Sequence, residues 1–237
     1  MSQKIAIVTG ASRGIGQVIA QRFVESGYYV IGTSTSGKLD KSVGIHESWS
    51  VDFNDRVSTQ GFLEKLREYN KIDILVNNAG INIIKEQSLV TYKDFDIIEE
   101  VNLRAPFFIS SIVAKCMAEA GGGKIVNIAS IWSVISKEHR TLYSTMKSGL
   151  HGLTRSMAVE WAKSNVLINT VSPGFVNTDL TNRSLTKTEI EQISKQIPLT
   201  RMAEPNEIAE LVVFLTSNLN TYLTGQNIVI DGGFTNV

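Results

Sequence analysis

The chain has 237 residues, 43% of them hydrophobic and 19% charged, which is enough apolar material for a sizeable core and too little charge for a disordered chain. Its 23 Lys and Arg balance 23 Asp and Glu, leaving no basic surplus for nucleic acid or an anionic membrane, and a near-neutral surface free to self-associate. The single cysteine, Cys116, excludes an intramolecular disulfide and a cysteine zinc cluster. No apolar run approaches the roughly 18 to 20 residues of a membrane span, so a cytoplasmic setting is expected.

Short apolar runs rich in β-branched residues alternate with longer segments of helical period. Strands are predicted at 4–9, 28–32, 47–51, 72–76, 123–129, 166–171 and 226–230, and helices near 14–26, 57–69, 103–119, 143–163 and 205–217. Runs this continuously apolar suit strands buried on both faces. The alternation predicts one domain over 1–237: a Rossmann-type, doubly wound α/β fold, a parallel sheet of about seven strands flanked by helices. Residues 177–198 are polar and carry no strand pattern, which predicts a flexible substrate lid.

Between the first strand and first helix runs Thr9-Gly10-Ala11-Ser12-Arg13-Gly14-Ile15-Gly16. Glycines there remove the Cβ atoms that keep a backbone away from a pyrophosphate, and a helix N-terminus favours negative charge. The spacing is neither G-x-G-x-x-G nor that of a phosphate loop, since no Lys-Ser/Thr follows Gly16. An NAD site usually carries an acid at the end of the second strand, where it meets the ribose 2′-hydroxyl. Here that end reads Gly32-Thr33-Ser34-Thr35-Ser36, with no acid before Asp40, while Arg13 and Lys38 offer cations for a 2′-phosphate. The pattern points to NADP(H), with NAD(H) as the alternative. Asp52, ending the third strand, suits either an adenine contact or a helix cap, and Asn77-Asn78-Ala79-Gly80 ends the fourth strand beside the same cleft.

Farther on, Tyr143-Ser144-Thr145-Met146-Lys147 places a phenol and an ammonium on one helical face, and Ser130 closes the fifth strand. Reduction of a ketone by hydride needs a proton for the emerging alkoxide, and a free tyrosine, with a pKa of about 10, holds its proton too tightly. Lowering it to about 7 takes roughly 4 kcal/mol of phenolate stabilisation. A nearby Lys147 ammonium and a positive oxidised nicotinamide are the expected sources. Ser130 would donate to the carbonyl oxygen, and Asn102 would hold a water linking Lys147 to solvent.

The set Thr9–Gly16, Asn77-Asn78-Ala79-Gly80, Asn102, Ser130, Tyr143/Lys147 and Pro173-Gly174 resembles the short-chain dehydrogenases/reductases in order and spacing over nearly the whole chain. The resemblance implies Tyr143 as acid/base, Lys147 as ribose ligand and pKa modulator, Ser130 as carbonyl orienter and Asn102 as relay anchor. It adds cofactor contacts at Gly10, Ser12, Arg13, Gly14, Ile15, Gly16, Thr33, Ser34, Asp52, Asn78, Ala79, Gly80, Tyr143, Lys147, Pro173, Gly174, the Val176 backbone and the Thr178 side chain. Arg13 and the acid-free second strand are similar to those of NADP(H)-preferring members. A homotetramer or homodimer is implied, through the helices at 103–119 and 143–163. Their apolar residues Ile109, Ile112, Val113, Leu150, Leu153 and Met157 serve either such a contact or the sheet.

Within the family, Ile31–Ser36 and the closing stretch from Arg201 to Gly233 resemble the β-ketoacyl-[acyl carrier protein] reductases. The chain departs from them where basic residues would receive the acidic carrier protein. Gly121-Gly122-Gly123 and Ser164 stand there, with Lys115, Lys124 and Lys163 nearby. Three readings follow: an NADPH-linked ketoreductase of a small carbonyl or a carrier-protein thioester, a sugar or polyol dehydrogenase, and a non-catalytic redox-sensing binder. Trp132, Glu138, His139 and Arg140 lie between Ser130 and Tyr143; His139 or Arg140 would suit a hydroxyl-rich or acidic substrate, or the segment is an exposed loop. His46 and His151 lack partners at metal-ligand spacing, so no metal is expected, and Cys116 reads as packing.

Overall fold

In the computed structural model, which describes residues 3–178, 181 and 186–237, seven strands form one sheet. They are β1 (Ile5–Val8), β2 (Tyr29–Ser34), β3 (Glu47–Ser50), β4 (Ile74–Asn77), β5 (Gly123–Ile128), β6 (Val166–Pro173) and β7 (Asn227–Ile230). Every neighbouring pair is parallel, in the order β3-β2-β1-β4-β5-β6-β7. The expected doubly wound sheet is therefore present.

Alternation along each strand builds two apolar layers. Ala6 and Val8 point to one face with Val30 and Val76, under Ile19 and Phe23 of α1 (Gly14–Glu25) and Ile208 and Val212 of α7 (Pro205–Thr216). Ile7 points to the other face with Ile31, Leu75, Ile125 and Ile168. That face is covered by α2 (Arg56–Arg67), α4 (Ala105–Glu119) and α5 (Thr141–Trp161), through Leu66, Val113 and Met157 among others. Burying such side chains contributes on the order of 2 kcal/mol each. Ile109, Val113, Leu150 and Met157 are buried, and Ile112 and Leu153 pack on the same layer, so these residues serve the sheet. The large apolar residues that α4 and α5 leave exposed are Phe107, Phe108 and Val159.

Two helices go beyond the sequence prediction. In α3 (Tyr92–Glu99) only Ile98 is buried, and in α6 (Lys187–Gln196) no residue is. Burying so little, both are fixed at their starts by capping boxes, Thr91 with Asp94 and Thr186 with Glu189. The predicted lid over 177–198 thus includes α6, while 179, 180 and 182–185 lie outside the described residues. A π-helical segment, Glu100–Arg104, joins α3 to α4. Its cause is Pro106 at the start of α4, which lacks an N–H and whose ring crowds the carbonyl four residues back, at Asn102.

β1 sits between β2 and β4, the point where strand order reverses. In such sheets a crevice opens there, beyond the carboxyl ends of the strands.

Candidate active site

The glycine-rich turn occupies that crevice and is stitched to the turn after β4. The Thr9 hydroxyl accepts from the N–H groups of Asn78 and Ala79, each at 3.0 Å. Asn78 Nδ2 in turn donates to the carbonyls of Thr9 and Gly10, both at 3.0 Å. A Cβ on Gly16 would stand 2.3 Å from the Gly10 carbonyl oxygen and from Asn78 Nδ2, so only glycine lets the two turns close. Gly10, at φ 68°, needs the left-handed region as well.

Helix α1 starts at Gly14 with Arg13 as its N-cap, no side chain caps it, and its first turn holds no acid. Its leading N–H groups face a cleft of about 500 Å³ lined by Gly10, Ser12–Gly16, Thr33, Ser34, Asp52, Asn78–Gly80 and Thr178. Uncapped N–H groups, the helix dipole and a glycine turn together fit a pyrophosphate.

Within this cleft the contacts sort the predicted cofactor residues. Thr33 is buried, and its hydroxyl already accepts from Gly10 N at 3.2 Å, so it shapes the turn. Ser34 Oγ donates to the Lys38 carbonyl at 3.2 Å. Asp52 Oδ1 accepts from Asn54 N at 3.0 Å in a local turn, while Asp55 is the residue that caps α2, and Asp52 also lines the cleft. Arg13 is exposed on the cleft wall, and Lys38 lines a neighbouring hollow instead. Pro173 ends β6, Gly174 and Val176 follow it, and all three stand outside the cleft lining. There Gly174 N donates to the Ile230 carbonyl at 2.9 Å, and Val176 bridges Ala203. Thr178 packs toward Gly14, whose added Cβ would meet its Cγ2 at 3.4 Å.

The second cluster adjoins this cleft at Gly80. A Cβ there would lie 3.4 Å from Lys147 Nζ and 3.5 Å from Asn102 Oδ1. Asn102 sits in the π-helical segment, fully buried, and pairs both ways with the backbone of Ile81. Its Oδ1 accepts from Ile81 N at 2.8 Å and its Nδ2 donates to the Ile81 carbonyl at 2.8 Å. Glu100 in the same segment is held by Arg56 and Arg104. Lys147 is 3% exposed, and its ammonium donates to the Ile128 carbonyl at 2.9 Å; burial pulls its pKa down to about 8.

Ser130 follows β5 in extended conformation and caps a short turn, its Oγ accepting from Trp132 N at 3.3 Å. Its hydroxyl is close enough to the Tyr143 phenol to pull that group's pKa down. Tyr143 lies in the first turn of α5, packed against Ile98, Leu142 and Met146, with the Lys147 ammonium 5.7 Å from its ring centroid. Burial pushes the phenol up to about 12, against the opposing pulls of Ser130 and Arg140. This differs from the lowering expected of Lys147: the protein's own groups leave the phenol protonated, because withdrawal from water outweighs the nearby cations.

Beneath the site runs a polar ladder that sequence reasoning missed. Asn77 Nδ2 donates to Ser110 Oγ at 2.8 Å and Asn127 Oδ1 at 2.7 Å, Asn127 Nδ2 donates to Thr154 Oγ1 at 2.8 Å, and Thr154 and Thr170 share 2.7 Å. Tyr143, Lys147, Leu150 and Thr154 form one stripe of α5, so tying Thr154 to β5 and β6 fixes the rotation of the helix carrying the phenol and ammonium. Polar residues inside otherwise apolar strands, Asn77 and Asn127, were the available signal.

A dinucleotide-fitted cleft at the switch point of a parallel sheet, with a Ser-Tyr-Lys set beside it, defines a nucleotide-dependent oxidoreductase class. A family model described as enoyl-(acyl carrier protein) reductase matches residues 10–235. The 3-oxoacyl-[acyl-carrier-protein] reductase of Aquifex aeolicus (strain VF5) is 38% identical over 97% of this chain and 96% of its own. The NAD-dependent glycerol dehydrogenase of Listeria innocua is 33% identical over 99% and 95% respectively. Among solved structures, a Beutenbergia cavernae protein provisionally described as an NAD(P)-dependent gluconate 5-dehydrogenase, with NADP bound at low occupancy, superposes with a TM-score of 0.93. It is 30% identical and covers 100% of this chain, and this chain covers 98% of it. The chain belongs to the short-chain dehydrogenase/reductase family and is an NAD(P)-dependent oxidoreductase.

Proposed function

We propose that the protein reduces a ketone to a secondary alcohol at the expense of NADPH, with Ser130, Tyr143 and Lys147 as its chemical core. The observation that carries this reading is the convergence of the three: Ser130, just past the end of β5, acts on the Tyr143 phenol of α5, and buried Lys147 stands one turn on, beside Gly80 of the cleft. When bound, the dinucleotide supplies the hydride and, once oxidised, a positive charge.

The Gly10–Gly16 turn and the α1 N-terminus would hold the pyrophosphate, Arg13 the 2′-phosphate, and Asp52 the adenine, with Asn78, Ala79, Gly80, Pro173, Gly174, Val176 and Thr178 completing the wall. Ser130 and Tyr143 donate to the carbonyl oxygen and polarise it; Tyr143 then gives its proton to the alkoxide. Burial, which pushes the phenol up, has it enter the reaction protonated, and releasing that proton takes the phenolate stabilisation that Lys147 and the oxidised nicotinamide would supply. Lys147 would hold the ribose and stabilise the phenolate left behind, and Asn102, paired with the Ile81 backbone, would anchor a relay toward solvent. The segment after β6 acts as the lid. Phe107, Phe108 and Val159 support assembly into a homodimer or homotetramer, since exposed apolar residues on paired helices suit a second copy.

A carrier-protein thioester is supported by the 3-oxoacyl reductase relatives but not by the surface. Lys124 is bonded to the carbonyls of Ser217 and Asn220, and Lys115 faces Glu119 at 4.0 Å. The polyol-dehydrogenase reading draws on the glycerol dehydrogenase relative. The test is Tyr143→Phe assayed by NADPH oxidation across ketones. Turnover is expected to fall by about 10²-fold or more while NADPH affinity holds; undiminished turnover refutes the mechanism.

A further inference from the structure

Three of the described arginines are partly buried: Arg22, Arg104 and Arg140. Arg22 pairs with Glu25 and Glu210, and Arg104 with Glu99 and Glu100. Arg140 enters no ion pair among the described residues. A partly desolvated guanidinium without a carboxylate is an unfavourable arrangement unless a ligand supplies the anion. Burial already draws its pKa below the ordinary value.

Its placement is specific. Arg140 caps α5 three residues before Tyr143, so the two side chains neighbour each other on one face. Its Cζ lies 5.5 Å from the ring centroid of Trp132. Stacking of this kind holds the plane of the guanidinium while leaving its N–H edge available for a planar anion. Trp132 in turn donates its backbone N–H to Ser130 Oγ, and its ring meets Phe175 edge-on at 6.3 Å, while Phe175 meets Phe234 at 5.2 Å. The cation therefore sits on an aromatic wall beside both hydroxyls of the chemical core. By contrast Glu138 and His139 are exposed, and the His139 carbonyl is engaged by Lys85 N.

We propose that Arg140 is the anion receptor of the substrate site, and that the substrate is a small ketone bearing a carboxylate one or two carbons from the carbonyl. This rests on the ketoreductase reading and narrows its substrate to a free oxo acid, in place of a neutral thioester or an uncharged sugar. The Arg140 charge acts on the Tyr143 phenol, and that closeness is the reason for assigning a short spacing between carbonyl and carboxylate.

The experiment compares acetoacetate with ethyl acetoacetate, which share the reacting ketone and differ at the distal end, where the ester replaces the charge by a neutral ethyl group, in the wild type, R140Q and R140K. The ratio of kcat/KM for acid over ester is expected to fall by about ten- to a hundredfold in R140Q, mainly through KM for the acid, and to recover partly in R140K. A ratio unmoved by R140Q, whether both substrates decline together or neither does, overturns the proposal, since a structural role or an effect on Tyr143 acts on both alike. Binding of acetoacetate, followed by tryptophan fluorescence, separates the two readings. If no ketone is turned over, the reductase reading fails, yet saturable binding lost in R140Q still upholds the anion receptor. Identical titrations in wild type and R140Q, saturable or not, overturn it.

Discussion

The two edges of the sheet handle polar groups in opposite ways. At the amino edge they are matched: Lys124 is gripped by two carbonyls, and Glu47 accepts from Tyr29, Trp49 and Tyr69. Asp73 there accepts from Ile5 N at 2.9 Å and pairs with Lys71. At the carboxyl edge α1 is uncapped, Arg13 and Arg140 lack carboxylates among the described residues, and Lys147 keeps its ammonium on a single carbonyl in a buried setting. One edge is finished by the chain itself; the other is left for ligands to complete. Stability and function are therefore predicted to trade against each other at the second edge and to be independent at the first.

The largest expected effect comes from removing the buried ammonium. A pKa drawn from 10.5 to about 8 corresponds to about 3 kcal/mol of native-state penalty. Below pH 8 both folded and unfolded forms hold the proton and the penalty is constant. Between pH 8 and about 10 the folded form gives it up first, so stability should rise with pH. Lys147→Met should raise the urea midpoint at pH 7, flatten that rise, and lower turnover by about 10²-fold or more. A midpoint that falls at pH 7 contradicts the penalty.

Next comes Gly16→Ala. Its Cβ meets backbone at 2.3 Å, so the two turns must part; a loss of about 1–3 kcal/mol and at least tenfold weaker NADPH binding are expected by calorimetry. Arg13→Ser sharpens the contrast between helix ends. A serine cap should stabilise the protein purified without nucleotide by about 0.5–1 kcal/mol while weakening NADPH more than NADH. The mirror change, Thr91→Ala, should lose about 1 kcal/mol from α3 and leave both affinities alone. Smallest is Gly61→Ala in α2, where a Cβ would meet nothing within 4 Å. It should add about 0.5–1 kcal/mol with no effect on turnover, measurable as a higher Tm.

The strands were legible because parallel strands covered on both faces are apolar end to end, as Ile74 to Val76 and Ile125 to Val126 are. The grouping of Ser130, Tyr143 and Lys147 was legible because its spacing lies on one helix and one strand end. What stayed hidden depends on tertiary burial. Nothing in a Tyr-x-x-x-Lys spacing says that the phenol is pushed up and the ammonium down, because both shifts come from desolvation by residues distant in the chain. Likewise, Arg140 is distinguished from Glu138 and His139 only once Trp132 folds beneath it. Helices α3 and α6 were illegible to an apolar-period reading, though Thr91-Tyr92-Lys93-Asp94 and Thr186-Lys187-Thr188-Glu189 carried capping-box spacing.

The π-helical turn at Glu100–Arg104 makes α3 and α4 one continuous helix with a spare residue inserted in its middle. Each residue of an α-helix turns the chain by about 100°, so a single deletion there would swing Asn102 to another side while leaving both flanking helices intact. A packing rod and an active-site wall thus differ by one codon, and length variation at this spot, more than side-chain exchange, is the route by which a descendant would lose the chemistry and keep the fold.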